Sequence, residues 1–202
     1  MYKLKFLFIL FCVASLAVSE DVQADNKKTS SRRTDFIDFT LTSTSFDKGG
    51  VIPKGLFYNG LTCNGENLSP QLSWKGAPEG TRSYVITMFD MDAPTGSGWW
   101  HWGVYNIPAD VNSLEEGASK TSGNKMPFFA KEIFTDYGTT GYGGPACLAA
   151  DEKPHRYVIT VYALKAEFLG IDNASTATGA MLTATLRGDI LAKAQITAVS
   201  GK

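Results

Sequence analysis

The chain is short of the side chain most used for acid–base chemistry: it holds two histidines in 202 residues, His101 and His155. Cysteine is nearly as scarce, at three, and two thiols left alone without clustered histidines do not make a zinc site. Neither sign of charge is in excess, since 19 Lys+Arg stand against 20 Asp+Glu for a net −1. That balance leaves no electrostatic footprint for nucleic acid. There is no Gly-x-Ser-x-Gly elbow and no phosphate-binding P-loop. Internal repeats are absent. Beyond the N-terminus, no run approaches the roughly 20 apolar residues a membrane span needs.

What is present starts with "MYKLKFLFILFCVASLAVSEDVQA". Two lysines precede an apolar run and then small residues, the pattern of a secretory signal peptide. Cleavage after Ser19 or after Ala24 satisfies the small-residue rule, so residues 1–24 are read as a signal and the product as exported, periplasmic or extracellular. The polar stretch 25–34 has no periodic apolar pattern and reads as a disordered leader. Its deletion is expected to leave the melting temperature unchanged. Residues 35–202 have the length of a single domain with a substantial core. Once Cys12 leaves with the signal, Cys63 and Cys147 face an oxidising compartment, where an even count favours a disulfide.

The remainder reads mostly as strand. "FIDFTLTSTSF" alternates apolar and polar, while "SYVITMFD", "HWGVYNI" and "HRYVITVYAL" are β-branched and aromatic runs bounded by turn residues. "YNGLTCNGENLSP" and "TTGYGGPACLAADEKP" read as loops. One helix is predicted over 173–188, "NASTATGAMLTATLRG", followed by a strand in "DILAKAQITAV". The fold class is β-rich α+β, two packed sheets with few helices.

The densest chemistry lies in "DMDAPTGSGWWHW", residues 90–102. Two carboxylates, Asp90 and Asp92, precede His101 among three tryptophans. His155 likewise stands at a strand start, after the Gly/Pro loop that carries Cys147. Loops held by a rigid sheet are where binding residues concentrate.

These stretches carry a resemblance. "DMDAPTGSGWWHWGVYNIP" and "GYGGPACLAADEKPHRYVITVYAL" resemble the two signatures of the phosphatidylethanolamine-binding protein family. "IPKGLFYNGLTCNGENLSPQLSWKGAPEGTRSY" and "LRGDILAKAQITA" are similar to its bacterial, Raf-kinase-inhibitor-like branch. The resemblance implies a large central antiparallel sheet packed on a smaller one, with helices near the C-terminus. It also implies an anion-binding pocket at one end of the sheet, formed by Asp90, Asp92, Pro94, His101, Gly144, Pro145, His155 and Tyr157. In that pocket Asp90 orients His101 or receives a ligand ammonium, imidazoles and Gly-loop amides meet phosphate oxygens, and tryptophan faces hold a cation. At least one of Trp99, Trp100 and Trp102 is expected in the core. A histidine beside a carboxylate favours its protonated form, so affinity for phosphate should weaken as pH rises. Met91, "PACLAADEKP" and Asp189 depart from the family pattern.

The expected function is a binding protein for a small anionic ligand, such as a phosphate or phospholipid headgroup, with no cofactor, no metal and no catalysis. A homodimer is compatible with the sequence. An alternative is an exported interaction module acting through the insertion 115–137, although its Phe128 and Phe129 are expected to pack inward. A further alternative is catalysis, either by Ser97 with His101 and an aspartate or by a metal on two histidines and a carboxylate.

Overall fold

The computed structural model describes residues 38–61, 63–119, 125–147, 153–171 and 176–200. The stretches read from the sequence as a signal peptide, 1–24, and a leader, 25–34, lie outside them. All the described residues belong to one compact unit, Phe36–Lys202. The strands are β1 (Thr40–Thr42), β2 (Asn59–Gly60), β3 (Cys63–Asn64), β4 (Leu72–Lys75), β5 (Ser83–Asp90), β6 (Trp99–Pro108), β7 (Ser113–Leu114), β8 (Lys131–Glu132), β9 (Arg156–Leu164) and β10 (Ile190–Val199); the helix α1 is Gly179–Thr185.

Five strands form the central sheet in the order β10-β9-β5-β6-β8, with every neighbouring pair antiparallel. A smaller sheet, β1-β4-β7, packs on one face, and β2-β3 form a separate hairpin. The two-sheet architecture expected from the sequence is present.

Why "SYVITMFD" lacks strict alternation is now plain: both faces of the central sheet are covered, so both sets of side chains are apolar. Tyr84, Ile86 and Met88 point into the core shared with Leu41, Leu72 and Trp74 of the small sheet. Val85 points the other way, into a second cluster with Leu182 and Leu186 from the helix region. In β9, Ile159 and Val161 are fully buried in the first core. Each such side chain contributes about 1.5–3 kcal/mol by leaving water.

The predicted helix is shorter than 173–188. It runs Gly179–Thr185, with a 3-10 turn at Leu186–Gly188, and is capped by Thr178, whose hydroxyl accepts from Met181 N. The Ala177 carbonyl accepts from Phe134 N, so the backbone there is tied to the sheet instead of opening a helix. Gly179 sits where a Cβ would lie 2.1 Å from the Trp100 ring; its lack of a side chain lets the helix press onto the sheet. The first strand is also shorter than "FIDFTLTSTSF". After Thr42 the Ser43 hydroxyl bonds the Gln71 carbonyl and accepts from Ser45 N, which turns the chain out of the ladder.

Phe128 and Phe129 do not pack inward. They are 91% and 51% exposed. Both lie where the chain enters the short edge strand β8, and Phe129 meets Phe168 edge-on.

Candidate functional site

Asp90 is the last residue of β5, and the register Asp90↔Tyr157 places it beside the start of β9. His155 immediately precedes β9, with its amide donating to Ser200 Oγ and its carbonyl accepting from Ser200 N. The antiparallel register therefore brings together two groups distant in the chain. His155 Nδ1–H donates to Asp90 Oδ2 at 2.7 Å, in a pair almost wholly buried. The other Asp90 oxygen accepts from Asp92 N at 2.9 Å, an Asx turn that starts the loop to β6.

His101 owes its position to a bulge. Between the pairs Met88↔Trp102 and Phe89↔Trp100, β6 has one more residue than β5, and His101 is that residue. A bulge re-aims side chains. In an undistorted strand Trp100 and Trp102 would share a face; here Trp102 is buried in the first core, while Trp100 lies against Gly179 of α1. Trp102 meets the expectation of a core tryptophan, and its Nε1–H donates to Glu132.

The His101 ring is clamped. Nδ1 faces the carbonyls of Gly143 at 2.7 Å and Gly144 at 3.1 Å, and the His101 carbonyl accepts from Gly143 N. Carbonyl oxygens only accept, so Nδ1 carries the proton. Nε2 is buried without a hydrogen-bond partner among the described residues, as is Trp99 Nε1. Burial pushes the His101 pKa below the ordinary imidazole value, outweighing the upward pull of the Gly143 carbonyl, Asp90, Gly144 and Asp136. This corrects the expectation that a neighbouring carboxylate makes His101 cationic. Asp90 hydrogen-bonds His155, and at His101 desolvation wins.

These groups line a cavity of about 200 Å³ at the end of the central sheet, together with Pro94, Tyr157, Trp99, Tyr137, Leu61 and Cys147. Tyr137 was not foreseen as a site residue. Its hydroxyl donates to Gly144 O, and its ring stacks on Tyr58 at 4.1 Å and meets Trp99 and His101 edge-on. Burial raises the hydroxyl pKa of both Tyr137 and Tyr157, with the Asp90 charge adding to it, so both remain donors at any physiological pH.

Three expected ligand contacts fall elsewhere. Asp92 does not line the cavity; its carboxylate is gripped by Arg156 through Nε at 2.8 Å and Nη2 at 2.7 Å. The bond to Arg156 lowers its pKa to about 2. Gly144 N is taken by Asn67 Oδ1 at 2.8 Å and is not offered to an anion. Pro145 is outside the lining, and its carbonyl accepts from Tyr58 N. This loop shapes the site through its carbonyls. A side chain at Gly144 would place Cβ 2.0 Å from Leu56 O.

The Cys63–Cys147 disulfide is present, with Cα atoms 5.4 Å apart. Cys63 opens β3 and Cys147 lines the cavity, so the bridge pins the rim to the β2-β3 hairpin. Ser97 is not beside His101; it lines a different surface depression with Phe89, Trp100 and Asp136. No three His, Cys, Asp or Glu side chains among the described residues cluster closely enough to hold a metal. No helix there is long and apolar enough to cross a membrane.

Fold and cavity together define the class: a β-rich domain whose central antiparallel sheet ends in a small His–Asp–His cavity walled by aromatic rings. The family model "Phosphatidylethanolamine-binding protein" matches residues 42–201, and the chain belongs to that family. It is 43% identical to Escherichia coli YbcL over 161 residues, which is 80% of this chain and 86% of that one. To E. coli YbhB it is 42% identical over 160 residues, 79% and 98% of the two chains. The crystal structure of E. coli YbcL, described as a member of the mammalian PEBP family, superposes with a TM-score of 0.76 at 42% identity, covering 81% of this chain and 98% of that one. The Chlamydia trachomatis homologue CT736 gives 0.66 at 31% identity, with 81% and 97% covered.

Proposed function

We propose that this is an exported binding protein that holds a small phosphate-bearing anion in the His–Asp–His cavity, without catalysis. The observation that carries the reading is one lining that brings Asp90, His101, His155, Tyr137, Tyr157 and Trp99 together at the end of the central sheet. The volume of about 200 Å³ admits a phosphate with a few carbons and is below the usual range for drug-sized ligands. Export rests on the N-terminal pattern and on the Cys63–Cys147 bridge, since disulfides persist in oxidising compartments. The reading without catalysis rests on geometry: Ser97 lines a different depression from His101, so the serine–histidine pairing weighed from the sequence does not form.

Calorimetric titration with inorganic phosphate and O-phosphorylethanolamine tests the reading. His155→Ala should weaken binding by about 1.5–3 kcal/mol, the scale of hydrogen bonds to charged groups. Saturation by neither compound at millimolar concentration would sink it. A second reading, a protein-interaction module, is favoured by the exposed rings of Phe128, Phe129 and Phe168, in contact edge to face. They lie at the opposite end of the central sheet from the cavity, so the two roles do not compete for surface.

A further inference from the structure

A second cavity, of about 320 Å³, opens at the far end of the central sheet, where β5 begins and β6 and β9 end. Arg82, Asn106, Pro108, Phe129, Glu167 and Phe168 are in its wall. Glu167 and Phe168 belong to the segment after β9, and two bonds fix that segment to the sheet. Ser83 Oγ–H donates to Ala166 O at 2.6 Å, and Leu169 N–H donates to Asn106 Oδ1 at 2.8 Å.

Asn106 is placed by a second bulge. Between the pairs Tyr84↔Ile107 and Ile86↔Val104, β6 has one more residue than β5. Within it Asn106 takes φ +58°, a left-handed conformation that asparagine tolerates better than most side chains. Backbone held in that region clusters at ligand sites. Because Leu169 N–H donates to the amide, the bonded atom is its oxygen, and the other end is the donor Nδ2. Nδ2 has no hydrogen-bond partner among the described residues. Unlike the Tyr105 hydroxyl one residue earlier, it is not sealed from solvent. Asn106 is 93% buried, with 7% exposed, and the surface it retains is in the cavity wall. Its donor is thus fixed in place and unmet.

The rim adds one charge of each sign. Arg82 and Glu167 pair there, their side chains 61% and 51% exposed. An exposed pair of this kind holds little energy, so each partner readily exchanges the other for a ligand group. The Phe129 and Phe168 rings meet edge to face, centroids 5.6 Å apart, and leave half their surface in solvent. A lone carboxylate would satisfy Arg82 and strand Glu167; a lone amine would do the reverse. An apolar contact surface needs neither the charges nor the amide donor. A zwitterion with an apolar side chain uses all of them.

We propose that this cavity is a second binding site, for a free α-amino acid with an apolar side chain. The carboxylate accepts from Arg82 and from Asn106 Nδ2–H, the ammonium donates to Glu167, and the side chain covers the Phe129 and Phe168 rings. The volume of about 320 Å³ stands at the small end of ligand cavities, as such a ligand requires. The site is separate from the His–Asp–His cavity and independent of what that cavity holds.

Calorimetry with L-phenylalanine, hydrocinnamate, phenethylamine and glycine tests this, because the last three each lack one of the ammonium, the carboxylate and the ring. L-Phenylalanine should bind at least about tenfold tighter than any of them, the scale of one hydrogen bond to a charged group. The Asn106 side-chain amide resonance should shift on its addition. Arg82→Gln and Glu167→Gln should each weaken it by a similar factor with the melting temperature unchanged, since both side chains are exposed. Asn106→Asp keeps an acceptor for Leu169 N–H and replaces the donor with a like charge, so binding should be lost. No saturation by L-phenylalanine at millimolar concentration, equal affinity for hydrocinnamate or phenethylamine, or full affinity in both charge variants overturns the proposal. So does a dimer, seen by sedimentation, that Phe168→Ala dissolves and L-phenylalanine leaves intact, which would assign these rings to a second copy of the chain.

Discussion

Reducing the Cys63–Cys147 bridge should cost the domain a large share of its stability without preventing it from folding. The cross-linked cysteines are 84 residues apart. On the chain-entropy model a loop of that length removes denatured-state freedom worth about 4.5 kcal/mol at 25 °C. The native state has little reason to collapse when the bond is lost, because the same loop is held by other ties. Gly144 N bonds Asn67 Oδ1, Pro145 O accepts from Tyr58 N, and the Gly143 and Gly144 carbonyls hold His101. For a domain of this size, about 4.5 kcal/mol corresponds to a melting temperature lower by roughly 10 °C or more. Urea unfolding with and without reductant, alongside Cys63→Ala/Cys147→Ala, measures it. The double variant should match the reduced wild type, and both should show a steeper slope than the cross-linked protein, because the denatured chain freed of the bridge exposes more surface. Because Cys147 lines the cavity, phosphate affinity should fall as well. A denaturation midpoint unmoved by reductant, or alkylation of both thiols without reductant, would refute the reasoning.

Gly144→Ala should destabilise by about 3 kcal/mol, the upper end of overpacking costs, since the added Cβ meets the Leu56 carbonyl at 2.0 Å. Thermal melting checks it, and a change within experimental error would mean the loop can shift away from Leu56. The pH profile of stability has two limbs. The His101 pKa is lowered in the folded state, so the unfolded chain binds the extra proton; stability should be full above about pH 6.5 and decline as pH falls below it. His101→Gln should flatten that limb in denaturant titrations across pH. Asp92, with a folded pKa of about 2, contributes stability above the unfolded carboxylate value of about 3.9 that is lost as pH falls toward 2. Arg156→Gln should remove that lower limb, and an unchanged acid transition in this variant would show that the pair is energetically idle.

Much of this was legible in the residues. Runs such as "SYVITMFD" and "HRYVITVYAL" are strands because β-branched and aromatic side chains fit a pleated surface covered on both faces. They became β5 and β9 almost to the residue. The cysteine pair followed from an even count in a chain read as exported, and the two histidine stretches marked where the cavity walls would come from. What the residues did not reveal is which imidazole meets the carboxylate. Asp90 and His101 are close in sequence, yet the register Asp90↔Tyr157 delivers His155 to Asp90, while the extra residue in β6 turns His101 onto the Gly143 and Gly144 carbonyls. Tyr137 and Ser200 joined the site's supports only through tertiary contact. The glycine loop's amides were spent on Asn67 and His101 instead of on an anion, and Phe128 stayed in solvent against Phe129. The physical reason is common to all of these. Periodicity and composition report the face a side chain prefers, a local quantity. Register, bulges and the partner of each buried polar atom are decided by how distant strands pack, and there every donor and acceptor competes for the same few positions.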